Sequence, residues 1–174
     1  MELRKEIEPD FETAEKLYPD VLNLILDYTA YCDEHGDEDS SEYKNLENKL
    51  HRMTGKDMSQ FNLWEWWEGN GAENLAFDIC LADPEKVECL TKSELAEIVR
   101  RMKTFEIPDP DDKSFRSLFY NYICFGSDYY PNFLKINCKT YDIKLFQRHK
   151  NKNGEYFEHS EEEITDQLWN GGII

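Results

Sequence analysis

Three of the four tryptophans, Trp64, Trp66 and Trp67, fall within four positions of the stretch Phe61–Leu81, which reads FNLWEWWEGNGAENLAFDICL. Each indole can bury on the order of 150–250 Å², so the surrounding chain is expected to pack onto this segment. Asn62 with Glu65 three residues later has the form of a capping box and predicts a helix from about Leu63. Gly69 and Gly71 interrupt it; Ala72, Leu75, Ala76, Ile79 and Cys80 then resume helical spacing as far as Asp83-Pro84. On that helix Leu63 and Trp67 share a face, Trp64 lies beside them and Trp66 points elsewhere. The pattern predicts three core tryptophans, with Trp66 wedged under a neighbouring helix. The functional alternative makes Trp66 an exposed anchor for a partner, since tryptophan is enriched at binding hot spots.

A chain of 174 residues is expected to form a single domain over 1–174 and to bury a sizeable core. The rigid run Pro108-Asp109-Pro110-Asp111-Asp112 suggests a subdomain break near 108–112, parting a helical 9–107 from 113–174. No apolar run approaches the roughly 20 residues that span a bilayer, and the N-terminal MELRKEIEPDFE lacks the apolar middle of a secretory signal. Cysteines 32, 80, 89, 124 and 138 are odd in number and scattered, without a C-x-x-C pair. This usage predicts reduced, buried thiols and a cytoplasmic protein.

Charge is the strongest global signal. Thirty-seven acids against 20 bases leave a net charge of −17. Residues 1–50 carry −10, residues 131–152 carry +5, and residues 153–174 swing back to −6. Such a balance disfavours duplex nucleic acid or an anionic membrane as the main partner, and admits a basic protein.

Taken in order, residues 1–8 are polar and predict a frayed end. A short helical piece over FETAEKLY precedes a second helix that Pro19 opens and Gly36 closes, with Val21, Leu22, Leu24, Ile25, Tyr28 and Cys32 around most of its circumference. The acidic turn Asp33–Glu42 ends in the capping box Asp39-Ser40-Ser41-Glu42. Its carboxylates lack the sixth-position Gly and twelfth-position Glu of a calcium loop, so no metal site is expected there. Tyr43, Leu46, Leu50 and Met53 define a helix ending at Thr54-Gly55. Thr91 with Glu94 caps another, bearing Leu95, Ile98, Val99 and Met102, whose Arg100, Arg101 and Lys103 suit the helix dipole and need no further role. Phe115, Leu118, Phe119, Tyr122 and Ile123 predict one amphipathic helix ending near Gly126. After Pro131 the alternation of Leu134, Ile136 and Cys138 with Lys135, Asn137 and Lys139 predicts a strand. Tyr141–Lys150 reads as a second strand, paired across the Asn151-Lys152-Asn153-Gly154 turn with Glu155–Glu158. Ser160 with Glu163 caps a closing helix carrying Ile164, Leu168 and Trp169. The expected class is α+β, a mostly helical body with a small C-terminal antiparallel hairpin and a closing helix.

Catalytic motifs are absent: no G-x-S-x-G, Walker loop, H-E-x-x-H or dinucleotide glycine pattern occurs. Neither a cofactor, a metal nor a catalytic residue is assigned. His149 and His159 are placed to face each other across the hairpin, where cross-strand polar neighbours are the commoner arrangement than a metal pair. Ser127-Asp128-Tyr129-Tyr130-Pro131 puts adjacent tyrosines beside an acid in an expected loop. These five residues locally resemble the Asp-to-Tyr-Tyr-Pro segment by which the small immunity proteins of colicin nucleases meet their toxins. The resemblance implies a partner-binding role for Asp128, Tyr129 and Tyr130, on a chain about twice the length of that family and without membership in it.

The expectation is therefore an acidic cytoplasmic protein-binding module for a basic partner, foremost an immunity or inhibitor protein that neutralises a nuclease-like toxin or defence protein. The residues assigned to that partner are Asp33, Glu34, Asp37, Glu38, Asp39, Trp66, Asp128, Tyr129 and Tyr130. The alternatives are a small enzyme with its pocket beside Trp64–Trp67, or an accessory protein without activity of its own. A deep pocket with convergent polar groups favours the enzyme; an acidic face with exposed aromatics favours the binder.

Overall fold

Helix α1 runs unbroken from Phe11 to His35, with Pro19 inside it, where two helices were expected. Proline at this depth gives up one backbone hydrogen bond and crowds the preceding turn, an interior cost of about 3 kcal/mol. Phe11, Ala14, Val21, Ile25 and Tyr28 keep one apolar phase on both sides of Pro19 and are all buried. Burial of that stripe outweighs the local preference. Asp10 caps the start by accepting from the Thr13 N–H, and Gly36, at φ 72°, donates its N–H to Cys32 at the end.

In the computed structural model residues 1–104 and 111–174 are described, and they form two compact units. The first is Asp10–Ala82; the second combines Met1–Pro9 with Asp83–Ile174. The break suggested near 108–112 falls mostly on 105–110, outside the described residues.

In the first unit, helix α2 spans Ser41–Thr54 and buries Leu46 and Leu50. Its N-terminus is not capped as the sequence suggested. Ser40 sits in the left-handed region at φ 56°, and it is Asp37 that reaches across the turn. Asp37 accepts from the N–H groups of Glu42 (3.2 Å) and Tyr43 (2.9 Å) and from the Tyr28 hydroxyl (3.2 Å), tying α2 to α1. Asp39 accepts from the Ser41 N–H at 3.0 Å. Helix α3, Ala72–Cys80, packs on α1 and α2 with Ala76, Phe77 and Ile79 fully buried.

The second unit holds the N-terminal segment expected to fray. Leu3 and Ile7 are buried, Arg4 pairs with Glu94 at 2.9 Å, and Glu8 pairs with Arg101 at 2.9 Å. Helix α4, Lys92–Thr104, begins with the expected Thr91–Glu94 reciprocal cap and packs on the closing helix. The single amphipathic helix expected next is two short ones, α5 at Phe115–Phe119 and α6 at Tyr122–Phe125. Hydrogen bonds tighten to three-residue spacing at the break, Tyr120 to Ser117 and Cys124 to Asn121.

The strand expected after Pro131 is a helix, α7, Tyr129–Asn137. Its buried positions Tyr129, Tyr130, Phe133, Leu134 and Asn137 follow helical spacing, which emerges only when the residues before Pro131 are included. Pro131 lies in the first turn, where a missing N–H leaves no intrahelical bond unmade. Asn137 is fully buried and holds the connector before α4: its Oδ1 accepts from Val87 N–H at 2.9 Å and its Nδ2 donates to Phe133 and Glu85 carbonyls. The second expected strand, Tyr141–Lys150, is broken by a 3-10 turn at Ile143–Phe146 and keeps only β1 at His149–Lys150. β2, Tyr156–Phe157, pairs with it antiparallel, His149 opposite Phe157 and Lys150 opposite Tyr156. Helix α8, Glu161–Gly171, carries the complete Ser160–Glu163 capping box and buries Ile164 and Leu168. The class is α+β, a mostly helical body with a small C-terminal hairpin followed by a closing helix.

Candidate functional site

The unit Asp10–Ala82 carries seventeen acids against five bases, a net −12 of the chain's −17. Its tryptophans invert the expected order. Leu63 is fully buried, but Trp67 is 52% exposed and Trp64 39% exposed, while Trp66 is half-buried. The cause is local. Asn62 and Glu65 do bond reciprocally, with Asn62 Oδ1 accepting from the Glu65 N–H at 3.1 Å and Nδ2 donating to Glu65 Oε2 at 3.2 Å. They close an isolated turn rather than open an α-helix, and only the 3-10 turn Trp66–Glu68 follows. Without helical continuity, Leu63 and Trp67 no longer share a face.

Trp66 is fixed in place, its Nε1 donating to Thr29 Oγ1 at 2.9 Å, and Trp67 meets it edge-on at 5.6 Å between ring centres. Trp64 meets Tyr28 in the same manner at 5.9 Å. Beside Trp66 lies an open groove of about 380 Å³, walled by Phe61, Glu65, Trp66, Glu68, Leu75 and Asp78. A second groove of about 330 Å³ lies between α1 and α2, with Asp27, Tyr28, Tyr31, Glu42 and Lys49 along it. Tyr31 is 41% exposed.

The acids assigned from sequence divide into two kinds. Asp33 and Glu34 are exposed in the last turn of α1, where carboxylates oppose the negative end of the helix dipole. Helix stability does not account for them. Glu38 and Asp39 are exposed on the turn, and hydrogen bonds from the Ser41 hydroxyl and N–H hold the Asp39 carboxyl below its ordinary range. Asp37 is committed to the α1–α2 turn and is corrected to a structural residue.

The tyrosine loop is the largest correction. Asp128 is exposed, but Tyr129 and Tyr130 begin α7 and are buried, Tyr130 completely. Neither offers a ring to a partner. The Tyr130 hydroxyl accepts from Arg101 Nη1 at 2.6 Å, and the same nitrogen reaches Glu8 at 2.9 Å. Arg101 Nε donates to Glu97 Oε1 at 3.0 Å, so the guanidinium is a buried hub rather than a surface complement to the dipole. Burial raises the Glu97 carboxyl, yet bonds from Arg100 and Arg101 outweigh it and hold the group at about 2. The signal in the sequence was Glu97 and Arg101 at i,i+4, flanking Ile98 and Met102 within the apolar stripe of α4.

Cys80, Cys124 and Cys138 are free and buried, and burial pushes their thiols up to about 12, 11 and 11. Two cysteines depart from the expected burial: Cys32 is half-buried, and Cys89 is exposed on a backbone with φ 54°. His149 and His159 do face each other, 4.9 Å between ring centres, with His149 Nε2 2.8 Å from the Lys144 carbonyl. Among the described residues no group of three or more His, Cys, Asp or Glu is placed to hold a metal ion, and no helix is long and apolar enough to cross a membrane. Comparison with protein families, with curated proteins and with solved structures finds no match to this chain.

Proposed function

We propose that the chain is a binding protein whose unit Asp10–Ala82 engages a basic protein partner. The observation that carries this reading is the coincidence of net −12 with partly exposed Tyr31, Trp64 and Trp67 on one small helical unit. Exposed indoles beside solvated carboxylates suit an interface: the rings supply desolvated area, and the acids steer a cationic partner and select against anionic ones. The contact residues in this reading are Asp33, Glu34, Glu38 and Asp39 from the acidic turn, with Trp64 and Trp67 taking the anchoring role first given to Trp66. Neutralisation of a basic toxin or defence nuclease is the narrower form of the proposal. It rests on charge and on these aromatics, since Tyr129 and Tyr130 lie in a core.

An enzyme reading keeps one favourable observation, the groove beside Trp66. Its lining holds three carboxylates and two asparagines but no histidine, cysteine, serine or lysine, so it is better equipped to hold a cation than to attack a substrate.

The experiment is affinity capture from an extract of the source cells, with wild type and with the Trp64→Ala/Trp67→Ala variant as baits. The expected outcome is one enriched basic protein, eluted by salt, depleted on the variant bait, and inhibited by the wild-type chain at equimolar ratio if it is a toxin. Equal recovery on both baits, or enrichment only of acidic or neutral proteins, removes this surface from the account.

A further inference from the structure

The groove beside Trp66 is more specific than a general acidic surface. One wall is an aromatic ring held at a fixed position, because the only polar side-chain atom of Trp66 is spent on Thr29 at 2.9 Å. Around it stand Glu65 and Glu68, both exposed and neither engaged in an ion pair among the described residues, and Asp78 from α3. Glu65 gives one oxygen to Asn62, which orients the carboxylate and leaves it further acceptor capacity. An indole beside carboxylates in one groove is an environment that draws a cation, by ring quadrupole and charge-assisted hydrogen bonds together. The chain already shows this chemistry at the neighbouring ring: Lys56 Nζ lies 5.7 Å from the centre of Phe61 and donates to the Asp78 carbonyl at 2.7 Å.

Resting on the proposed function above, we propose that this groove receives an arginine side chain of the basic partner, its guanidinium against Trp66 and its N–H groups on Glu65 and Glu68. A volume of about 380 Å³ accommodates the end of a side chain rather than a folded element. Guanidinium is favoured over ammonium because it is planar, weakly hydrated, stacks on indole and presents paired donors to carboxylates. Phosphate and other anions are disfavoured by the exposed Glu65 and Glu68.

The test uses N-acetyl-arginine amide as the probe and the neutral isostere N-acetyl-citrulline amide as its control, followed by NMR of the Trp66 indole N–H and the Gly69 and Gly71 amides. The arginine probe is expected to shift these signals saturably and the citrulline probe to leave them in place. Glu65→Gln/Glu68→Gln should weaken arginine-probe binding by roughly fivefold or more through lost charge-assisted bonds. The charge-matched control Glu12→Gln/Glu15→Gln should weaken it by less than about twofold, because these exposed acids lie fourteen or more residues along α1 from Thr29, on which Trp66 rests, roughly 20 Å at about 1.5 Å per residue and beyond a Debye length. Equal effects of the two pairs, or citrulline binding like arginine, overturn the groove assignment. Decaarginine separates this failure from that of the parent proposal. If it binds wild type at low salt and both pairs reduce binding equally, the acidic unit still engages cations but without a privileged groove. If decaarginine does not bind at all, both the groove and the basic-partner reading fall.

Discussion

Arg101→Ala is expected to destabilise the second unit by about 3–5 kcal/mol, the range for removing one partner of a buried ion pair. The guanidinium is almost fully buried and serves Glu8, Glu97 and the Tyr130 hydroxyl at once, at 2.9, 3.0 and 2.6 Å. Its removal takes the donor from the buried Tyr130 hydroxyl, leaves Glu97 to Arg100 and the N-terminal amine and Glu8 to Arg116 alone, and so loosens the N-terminal segment. Urea or guanidinium titration measures the loss; a change below about 1 kcal/mol, the scale of an exposed pair, would contradict the hub. The same network sets an acid limit. The Glu97 carboxyl is held at about 2 against an ordinary 4.5, so it contributes stability that is complete above pH 4.5 and is lost as pH falls towards 2. Glu97→Gln is expected to flatten that part of the stability profile while lowering the plateau.

Phe77→Ala should cost the first unit about 3–5 kcal/mol, as for other buried aromatic truncations. Trp67→Ala should cost less than about 1 kcal/mol, as for a surface substitution. Phe77 is fully buried on α3 and packs 6.0 Å from Phe11 of α1 between ring centres, whereas more than half of Trp67 is in water. The sequence periodicity places Trp67 in the core, as an indole sharing a helical face with Leu63. Denaturant melts of the two variants decide the matter, and a Trp67→Ala loss as large as that of Phe77→Ala would restore the helical reading of Leu63–Glu68.

The elements legible in the sequence were those whose signals are local. The reciprocal caps at Thr91–Glu94 and Ser160–Glu163 formed where they were read. Asn151 and Gly154 made the hairpin turn, with Asn151 Oδ1 accepting from the Asn153 and Glu155 N–H groups and Gly154 at φ 85°. The expectations that failed depended on partners distant in the chain. Pro19 is tolerated because α1 buries one continuous stripe, and α7 is a helix because its buried face begins before Pro131. The N-terminal segment is ordered by Arg4–Glu94 and Glu8–Arg101, pairs ninety or more residues apart. Composition identified the acidic half of the candidate surface. It could not separate Asp37, which closes a turn, from the solvated Asp33 four residues before it and Glu38 immediately after it. Nor could it tell which aromatics reach water, because adjacency of Tyr129 and Tyr130 to Asp128 says nothing about which side of a helix they occupy.

The central claim is that acids and indoles of the first unit act together on one basic partner, and the direct measurement is the binding kinetics of the captured protein as a function of salt. Neutralising Asp33, Glu34 and Glu38 together should slow association and flatten its salt dependence, since these carboxylates act over a Debye length of roughly 8 Å at physiological ionic strength. Trp67→Ala should leave association nearly unchanged and speed dissociation, as loss of a desolvated anchor does. Association and dissociation rates unmoved by both sets of substitutions would contradict the account.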